Sequence, residues 1–541
     1  MDIDTTRAFR KGVSLGTTEG EVMRKLLALA AAGALVFAAP ASADRAHSTN
    51  NTSKKLREAV TVAGILEHEA AFQALSALSG GNRLSGAPGY DLSAQYVADQ
   101  AEAAGLTVSQ QAFDYELDLL ADYSAPVLSI VSGGPARAFV PGIGGTLFSD
   151  GDFGSMYASP SGDLTRPVWA ADIDLDPATA ASNTSGCQAA DYAGMPAGAI
   201  VLLQDGASCS LGTKFFGAQQ LGAGAIFFFD AAGGTWINVT GIAIPSVAGR
   251  LDSATALANG VEQGSTGLTA RMKVDWRPGT YPTSNVIAET PTGDPDNVIV
   301  VGAHLDSVGV GPGINDNGSG SATILEIAEQ VAKAKPRNKI RFVWFGAEEH
   351  GLLGSQAYVD SLPQSERDKI AAMLNFDMVG SPNFVRFVYD GDLSDSEPPP
   401  GGAPAASADI ERLFLDYFAS QGLATEPTAF DGRSDYGPFI AAGIPAGGLF
   451  TGAEGIKTAE EAAVYGGMAG EPYDPCYHMG CDTTSNLDAT ALDQMSDAAA
   501  HATITLAQTK RLFPSTATSV ATGTGAGPIG GLADLKVPRG F

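Results

Sequence analysis

The chain has 541 residues, 44% hydrophobic and 17% charged, which is apolar material enough for a large core and more than one domain. Lys and Arg total 32 against 60 Asp and Glu, a net charge of -28. That field repels polyphosphate and anionic lipid, which excludes nucleic acid and electrostatic membrane docking.

Near the N-terminus, residues 26–39 form an apolar run with Arg24 and Lys25 before it and Ala41-Ser42-Ala43 after it. This is the three-part pattern of a secretory signal peptide, residues 1–43, cleaved after Ala43. The run is shorter than the ~20 apolar residues a membrane span needs, so a released, extracellular protein is expected. Met23 stands directly before the positive residues and is a second candidate start beside Met1. The four cysteines fit export, since an even count in a secreted chain favours disulfides. Three pairings are open to four cysteines; sequence locality favours Cys187 with Cys209 and Cys476 with Cys481.

Residues 44–56 are polar and predict disorder. Two helical patterns follow over 65–78 and 92–104, joined through Gly80-Gly81-Asn82-Arg83, and then a strand over 107–113. Between 119 and 270, Gly, Pro, Asp and Ser punctuate short apolar runs; 199–203 and 225–229 read as strands and 214–222 as a helix. Beyond this stretch strands alternate with helices. The strands are 298–303, 340–345, 371–376 and 385–389, and the helix 321–334 places Ile324, Ile327, Ala328 and Val331 on one face. This alternation predicts an α/β fold with a mixed, largely parallel sheet flanked by helices. Neither 57–118 nor 271–510 is complete alone, so the expectation is one catalytic domain built from both and interrupted by an insertion over 119–270. Residues 511–541 form a Gly/Thr/Ala/Pro tail.

Five segments of the α/β part end in metal-type ligands. They are Gly302-Ala303-His304-Leu305-Asp306, Gly313-Ile314-Asn315-Asp316-Asn317-Gly318, Trp344-Phe345-Gly346-Ala347-Glu348-Glu349, Asn375-Phe376-Asp377-Met378 and Tyr477-His478. In an extended segment i and i+2 face the same way, so Asp306 can support the His304 ring. Strand carboxyl ends are where α/β sheets form their crevices. An apolar strand that ends in a bare carboxylate needs a partner for that charge, and several together call for cations. Two His with three or four carboxylates suit two divalent ions, zinc above all, bridged by one carboxylate. His350, beside the Glu pair, is read as a non-ligand, as are His68 and His501 in helical patterns and His47 in a polar segment.

At these residues, and at Asp431–Asp435, Gly447–Gly452 and Cys476–Asp482, the chain resembles the secreted di-zinc aminopeptidases of bacteria, co-catalytic zinc exopeptidases of the leucyl aminopeptidase type. The resemblance covers 57–118 and 271–510. The insertion, with Asp191-Tyr192, Pro196-Ala197-Gly198-Ala199, Ala218-Gln219 and Gly222-Ala223, resembles a small β-rich protease-associated domain. The resemblance implies that His304 and Asp377 bind one zinc, that Glu349 and His478 bind the other, and that Asp316 bridges them before a cis peptide to Asn317. It implies Glu348 as general base, Asp306 as the orienter of His304, and Tyr477 as the donor to the oxyanion. The substrate α-amine would be held by Glu348, Asp377 and the Arg433 carbonyl, with Met378 and Phe450 lining an apolar pocket. Some relatives also bind calcium through acidic ligands, two of which match Asp493 and Asp497; the N-terminal one has no counterpart near Thr61. The expected function is a monomeric secreted enzyme that hydrolyses the N-terminal bond of peptides with a free, apolar first residue. The alternatives are a single-zinc enzyme similar to glutaminyl cyclases and a non-catalytic peptidase-like binding ectodomain. Retention of all five ligand positions and Glu348 argues against both.

Overall fold

The computed structural model describes residues 50–510 and 512, apart from 118–123, 142–150, 157–158, 177–178, 180–182, 207–208, 230–241, 278 and 400. The leader, the alternative start, His47 and all of the tail but Leu512 lie outside the described residues. Among the described residues sixteen strands follow one another in chain order. β1 is Thr107–Leu117, β2 Val127–Ser132, β3 Arg137–Ala138, β4 Phe153–Ser155, β5 Gly162–Ala170, β6 Ile200–Gln204, β7 Ala225–Phe229 and β8 Ser246–Gly249. They continue as β9 Gly264–Val274, β10 Gly279–Glu289, β11 Asp294–His304, β12 Asn338–Phe345, β13 Ile370–Phe376, β14 Phe387–Tyr389, β15 Glu426–Thr428 and β16 Ala446–Phe450.

One eight-stranded sheet has the order β1-β10-β12-β11-β13-β16-β14-β15. Its centre, β12-β11-β13-β16, is parallel, and β1, β10 and β14 join antiparallel. The central strands are apolar on both faces because both faces are covered. Alternation divides their side chains. Ile299, Val301, Ala303, Ile340, Phe342 and Trp344 enter the core under the helices Val62–Leu78, Pro88–Ala104, Gly320–Val331 and Ala489–Gln508. Val298, Val300, Val343 and Phe345 enter the opposite core with Tyr358, Tyr436 and Phe439. The expected mixed α/β class and largely parallel centre are what the molecule has.

A second eight-stranded sheet, β3-β2-β9-β5-β6-β7-β8-β4, holds every strand from β2 to β9 and has its own cores around Phe227 and Phe228. Cys187–Cys209 and Cys476–Cys481 are the two disulfides. The disorder expected over 44–56 does not hold throughout. Ser53–Arg57 is a helix, with its N-cap supplied by Thr52, and it packs on Ala489–Gln508: Arg57 Nη1 is 2.9 Å from Asp497 Oδ2 and Ser53 Oγ is 2.7 Å from His501 Nδ1. Leu56 is fully buried there, so a single apolar residue and two long-range polar contacts order a segment whose own composition is polar.

His68 lies inside Val62–Leu78, its Nδ1 2.8 Å from Tyr96 Oη and its Nε2 3.7 Å from Glu329 Oε1. Burial pushes its pKa down from 6.5 to about 4. The unfolded chain therefore takes up a proton, as pH falls from 6.5 towards 4, that the folded chain refuses. Stability is full above the unfolded value and falls by about 3 kcal/mol across that window. Urea unfolding at about pH 4 and about pH 7 is expected to show that extra loss in the wild type and not in His68→Gln. Equal losses in the two proteins would mean the imidazole is not excluded from protonation.

Candidate active site

The sheet register brings the ligand-bearing ends together. His304 pairs with Phe345 across β11 and β12, and Gly302 pairs with Asn375 across β11 and β13. His304, the Gly346–Glu349 turn and Asp377 thus leave the sheet at one edge, level with one another. The loop Gly313–Ser319 crosses that edge before the helix Gly320–Val331 begins. Gly320 is required at the crossing, because a Cβ there would stand 2.2 Å from the Phe376 carbonyl and 2.4 Å from Asn317 Oδ1. The peptide between Asp316 and Asn317 is cis.

Asp316 stands between the two imidazoles. Its Oδ1 is 3.4 Å from His304 Nε2 and its Oδ2 is 3.0 Å from His478 Nε2. His304 Nε2 also lies 3.2 Å from Asp377 Oδ1 and 3.9 Å from Glu348 Oε2, while His478 Nε2 lies 3.0 Å from Glu349 Oε2. Asp316 Oδ2 and Glu349 Oε1 are buried and receive no hydrogen bond, although nitrogen stands close to Asp316. His304 Nε2 shares a hydrogen bond with Asp377 Oδ1, but the remaining convergence, with two oxygens left unpaired, is arranged as for a cation. Mixed imidazole and carboxylate donors with two buried, unsatisfied oxygens fit zinc.

The electrostatics agree. Burial works against charge on His304 and His478, but the surrounding carboxylates more than offset it and raise both pKa values well above the usual imidazole range. Burial raises Glu348 well above the carboxylate range and raises Glu349. Burial would also raise Asp316, yet the two imidazoles hold it below its usual value. Positive charge is favoured at the centre of the cluster, and burial favours the protonated form of Glu348 at its edge.

Asp306 departs from the simple expectation. His304 Nδ1 is 3.3 Å from the Asp306 carbonyl and 3.7 Å from its carboxylate, while that carboxylate accepts from the Glu348 and Glu349 backbone N–H groups at 3.2 and 3.4 Å. It therefore ties the Glu pair to the His304 segment. Three residues outside the sequence-derived set complete the support. Ser434 Oγ donates to Asp377 Oδ2 at 2.5 Å, and Asp482 accepts from the Asn315 and Asp316 backbone N–H groups at 2.8 and 3.0 Å. Asp435 is fully buried beside the cluster, its pKa pushed by burial up to about 7. Ser434, Asp435 and Asp482 lie in the segments that carry the resemblance, which was the available signal. Ala347, Met378 and His478 adopt positive φ, at 54, 50 and 56°, so strained backbone concentrates at the ligand segments.

The cluster floors a cavity of about 300 Å³ that is also lined by Met378, Arg433, Phe450 and Tyr477. Phe387, Tyr389 and Tyr473, which sequence reasoning did not select, share its wall. The Tyr477 and His478 rings stack, with centroids 3.8 Å apart. His350 packs against Tyr115, and His501 stacks on Tyr417, away from the cluster. Asp493 and Asp497 are also elsewhere: Asp497 is paired with Arg57, and Asp493 is exposed.

Residues 285–503 match the model of peptidase family M28. The chain is 43% identical to an aminopeptidase of Pseudomonas aeruginosa (strain UCBPP-PA14), over 79% of this chain and 78% of that protein. It is 43% identical to leucine aminopeptidase 2 of Arthroderma otae, over 65% of this chain and 71% of that one. Among solved structures, BSAP, a zinc aminopeptidase from Bacillus subtilis, aligns over 84% of this chain and 97% of its own, with 22% identity and a TM-score of 0.51, a likeness of fold. Matching the family model over 285–503 and sharing 43% of its residues with an aminopeptidase over most of that protein's length, the chain belongs to peptidase family M28 and is a metallo-exopeptidase, a hydrolase of the aminopeptidase kind.

Proposed function

We propose that the protein is an extracellular di-zinc aminopeptidase that removes apolar residues from the free N-termini of peptides. The observation that carries this is Asp316 between His304 and His478, one carboxylate facing both imidazoles. His304 with Asp377 would hold one ion and His478 with Glu349 the other, with Asp316 common to both. Zinc bound there would polarise the scissile carbonyl and acidify a water to near-neutral pKa.

Glu348 takes a proton from the attacking water and gives it to the departing amine. Its burial raises the pKa of the carboxyl, which strengthens it as the acceptor in the first transfer. Asp306 holds the Glu348 and Glu349 backbone, so the base keeps its place while its side chain works. Tyr477 lines the same cavity and donates its hydroxyl proton to the oxygen on which negative charge develops. The α-ammonium of the substrate is met by Glu348, Asp377 and the Arg433 carbonyl. Met378 and Phe450 receive the first side chain. The carboxylate-rich floor favours an ammonium over a substrate carboxylate, which supports cleavage from the N-terminal end.

Residues 57–118 and 271–510 form the catalytic domain in this reading, and 119–270 an inserted protease-associated domain. Two disulfides fit secretion. Among the described residues no helix is long and apolar enough to cross a membrane. Calcium has no part in the reading, since the Arg57 guanidinium already supplies positive charge at Asp497.

A panel of aminoacyl-arylamides and their N-acetylated counterparts tests the proposal. Leucyl and phenylalanyl amides should turn over fastest, and every acetylated compound should stay intact. Hydrolysis of the blocked set would reject an aminopeptidase.

A further inference from the structure

Behind the ligand cluster lies a positive charge that the mechanism does not use. Arg83 is completely buried, and so is Glu69. The Arg83 guanidinium donates to three carbonyls: Nη1 to Leu305, Nη2 to Gly313, and Nε to Pro312 at 2.8 Å. Leu305 stands between His304 and Asp306, and Gly313 opens the loop that carries Asp316. The Leu305 and Pro312 carbonyls belong to an irregular, buried stretch outside strand and helix pairing and depend on the fork, whereas the Gly313 carbonyl also accepts from the Gly318 N–H at 3.0 Å. The Arg83 backbone joins the same stretch twice, N–H to Ser307 Oγ at 2.9 Å and carbonyl from the Ser307 N–H at 3.3 Å. Two residues on, Ser85 Oγ accepts the Ala347 N–H at 2.7 Å, next to Glu348.

Glu69 faces Arg83 in the same interior; burial pushes its carboxyl well above the carboxylate range, and Arg83 works against that rise. Neither of its oxygens has a hydrogen-bond partner, and the Glu69 and Arg83 charges attract through the interior. Glu69 also presses on the Asp316 loop, because a Cβ at Gly318 would stand 2.8 Å from Glu69 Oε2. A planar guanidinium with five fixed donors can tie two backbone segments at a set separation, which a flexible ammonium cannot.

We propose that Arg83 is a positioning residue that sets the spacing of His304 from Asp316 and thereby the zinc affinity of the site. This rests on the assignment of His304 and Asp316 as zinc ligands. The assignment predicts that the Gly80–Arg83 turn, far from the ligands in sequence, governs metal binding more than it governs folding.

The test uses the full chain with Arg83→Lys, which keeps the buried charge and loses the fork. Zinc affinity is measured by competition with a chelating dye, the metal-free protein is melted, and kcat and KM are determined on a leucyl-arylamide. The expected result is a cooperative melt, zinc binding weakened about 10–100-fold, and kcat lowered with KM within about twofold. Wild-type zinc affinity and kcat in this variant, with only the melt shifted, would overturn the proposal. Should the Lys variant not fold, the double variant Glu69→Gln/Arg83→Met leaves no unpaired buried charge and takes the same measurements, with the same expected loss and the same overturning result. Asp316→Ala separates the two assignments. Retention of zinc by Asp316→Ala would refute the ligand assignment, whereas loss of zinc there with wild-type affinity in the Arg83 variants refutes the positioning role alone.

Discussion

Glu348→Gln is expected to lower kcat about 10²–10⁴-fold while zinc content stays at the wild-type level. The amide has the shape of the carboxyl and keeps its hydrogen-bonding reach, but it cannot take a proton from water at any working pH. Metal binding survives because His304, Asp316, Asp377, Glu349 and His478 are untouched. Burial raises the Glu348 pKa well above its usual value, so the folded protein holds this charge at a cost. The neutral variant should therefore melt no lower than the wild type, and higher if the charge is present at the pH of the experiment. Steady-state kinetics, metal analysis and a melt on one preparation decide the matter. Full activity in Glu348→Gln would reject the assigned base; loss of zinc together with activity would make Glu348 a ligand instead.

Removal of zinc is the second large effect. A chelator should abolish turnover, and added zinc should restore it. The stability of the fold should respond as well. Asp316 Oδ2 and Glu349 Oε1 are buried without hydrogen bonds, and Glu348 and Asp435 stand close by with pKa values raised by burial. A cation at the centre offsets their desolvation and mutual repulsion. At free zinc 1,000 times its Kd, binding adds about 4 kcal/mol to the folded state. Melts of chelated and zinc-loaded protein should therefore differ clearly, and the difference should grow with zinc concentration. Activity that persists through chelation would reject the metal mechanism, and a melt insensitive to zinc would place the ion outside the buried cluster.

The parts of this site that were legible in the chain are those governed by local rules. The C-terminal parts of β11, β12 and β13 are apolar on both faces; His304 is the last residue of β11, Asp377 directly follows β13, and Glu348-Glu349 follow β12 after Gly346-Ala347. Burial disfavours charge in the doubly covered part of such a strand, so titratable groups at its end stand out as candidate ligands. Ends of elements were less legible. The helix read over 65–78 starts at Val62, where the Thr61 side chain caps it, and the strand read over 298–303 begins four residues earlier, at Asp294, beside β12. The polar stretch before Arg57 gave no sign of its helix, because the burial of Leu56 comes with packing on the distant helices Ala489–Gln508 and Gly320–Val331.

What the sequence by itself determined is the class of the fold and the candidate side chains of the site: period-two and period-3.6 patterns act over a few residues, and so does the cost of ending an apolar strand in a charge. What only the tertiary structure decided is which groups meet. His478 reaches Glu349 and Asp316 from a segment late in the chain, Ser434 fastens Asp377, and the Asp306 carboxylate turns to the Glu348 and Glu349 backbone rather than lying closest to the His304 ring. Arg83, in what reads as an ordinary glycine-rich turn, proves to lie under two ligand segments. Such pairings depend on the register of the parallel strands and on the packing of helices across them. Both are set by burial summed over the whole core, a quantity no short window of sequence contains.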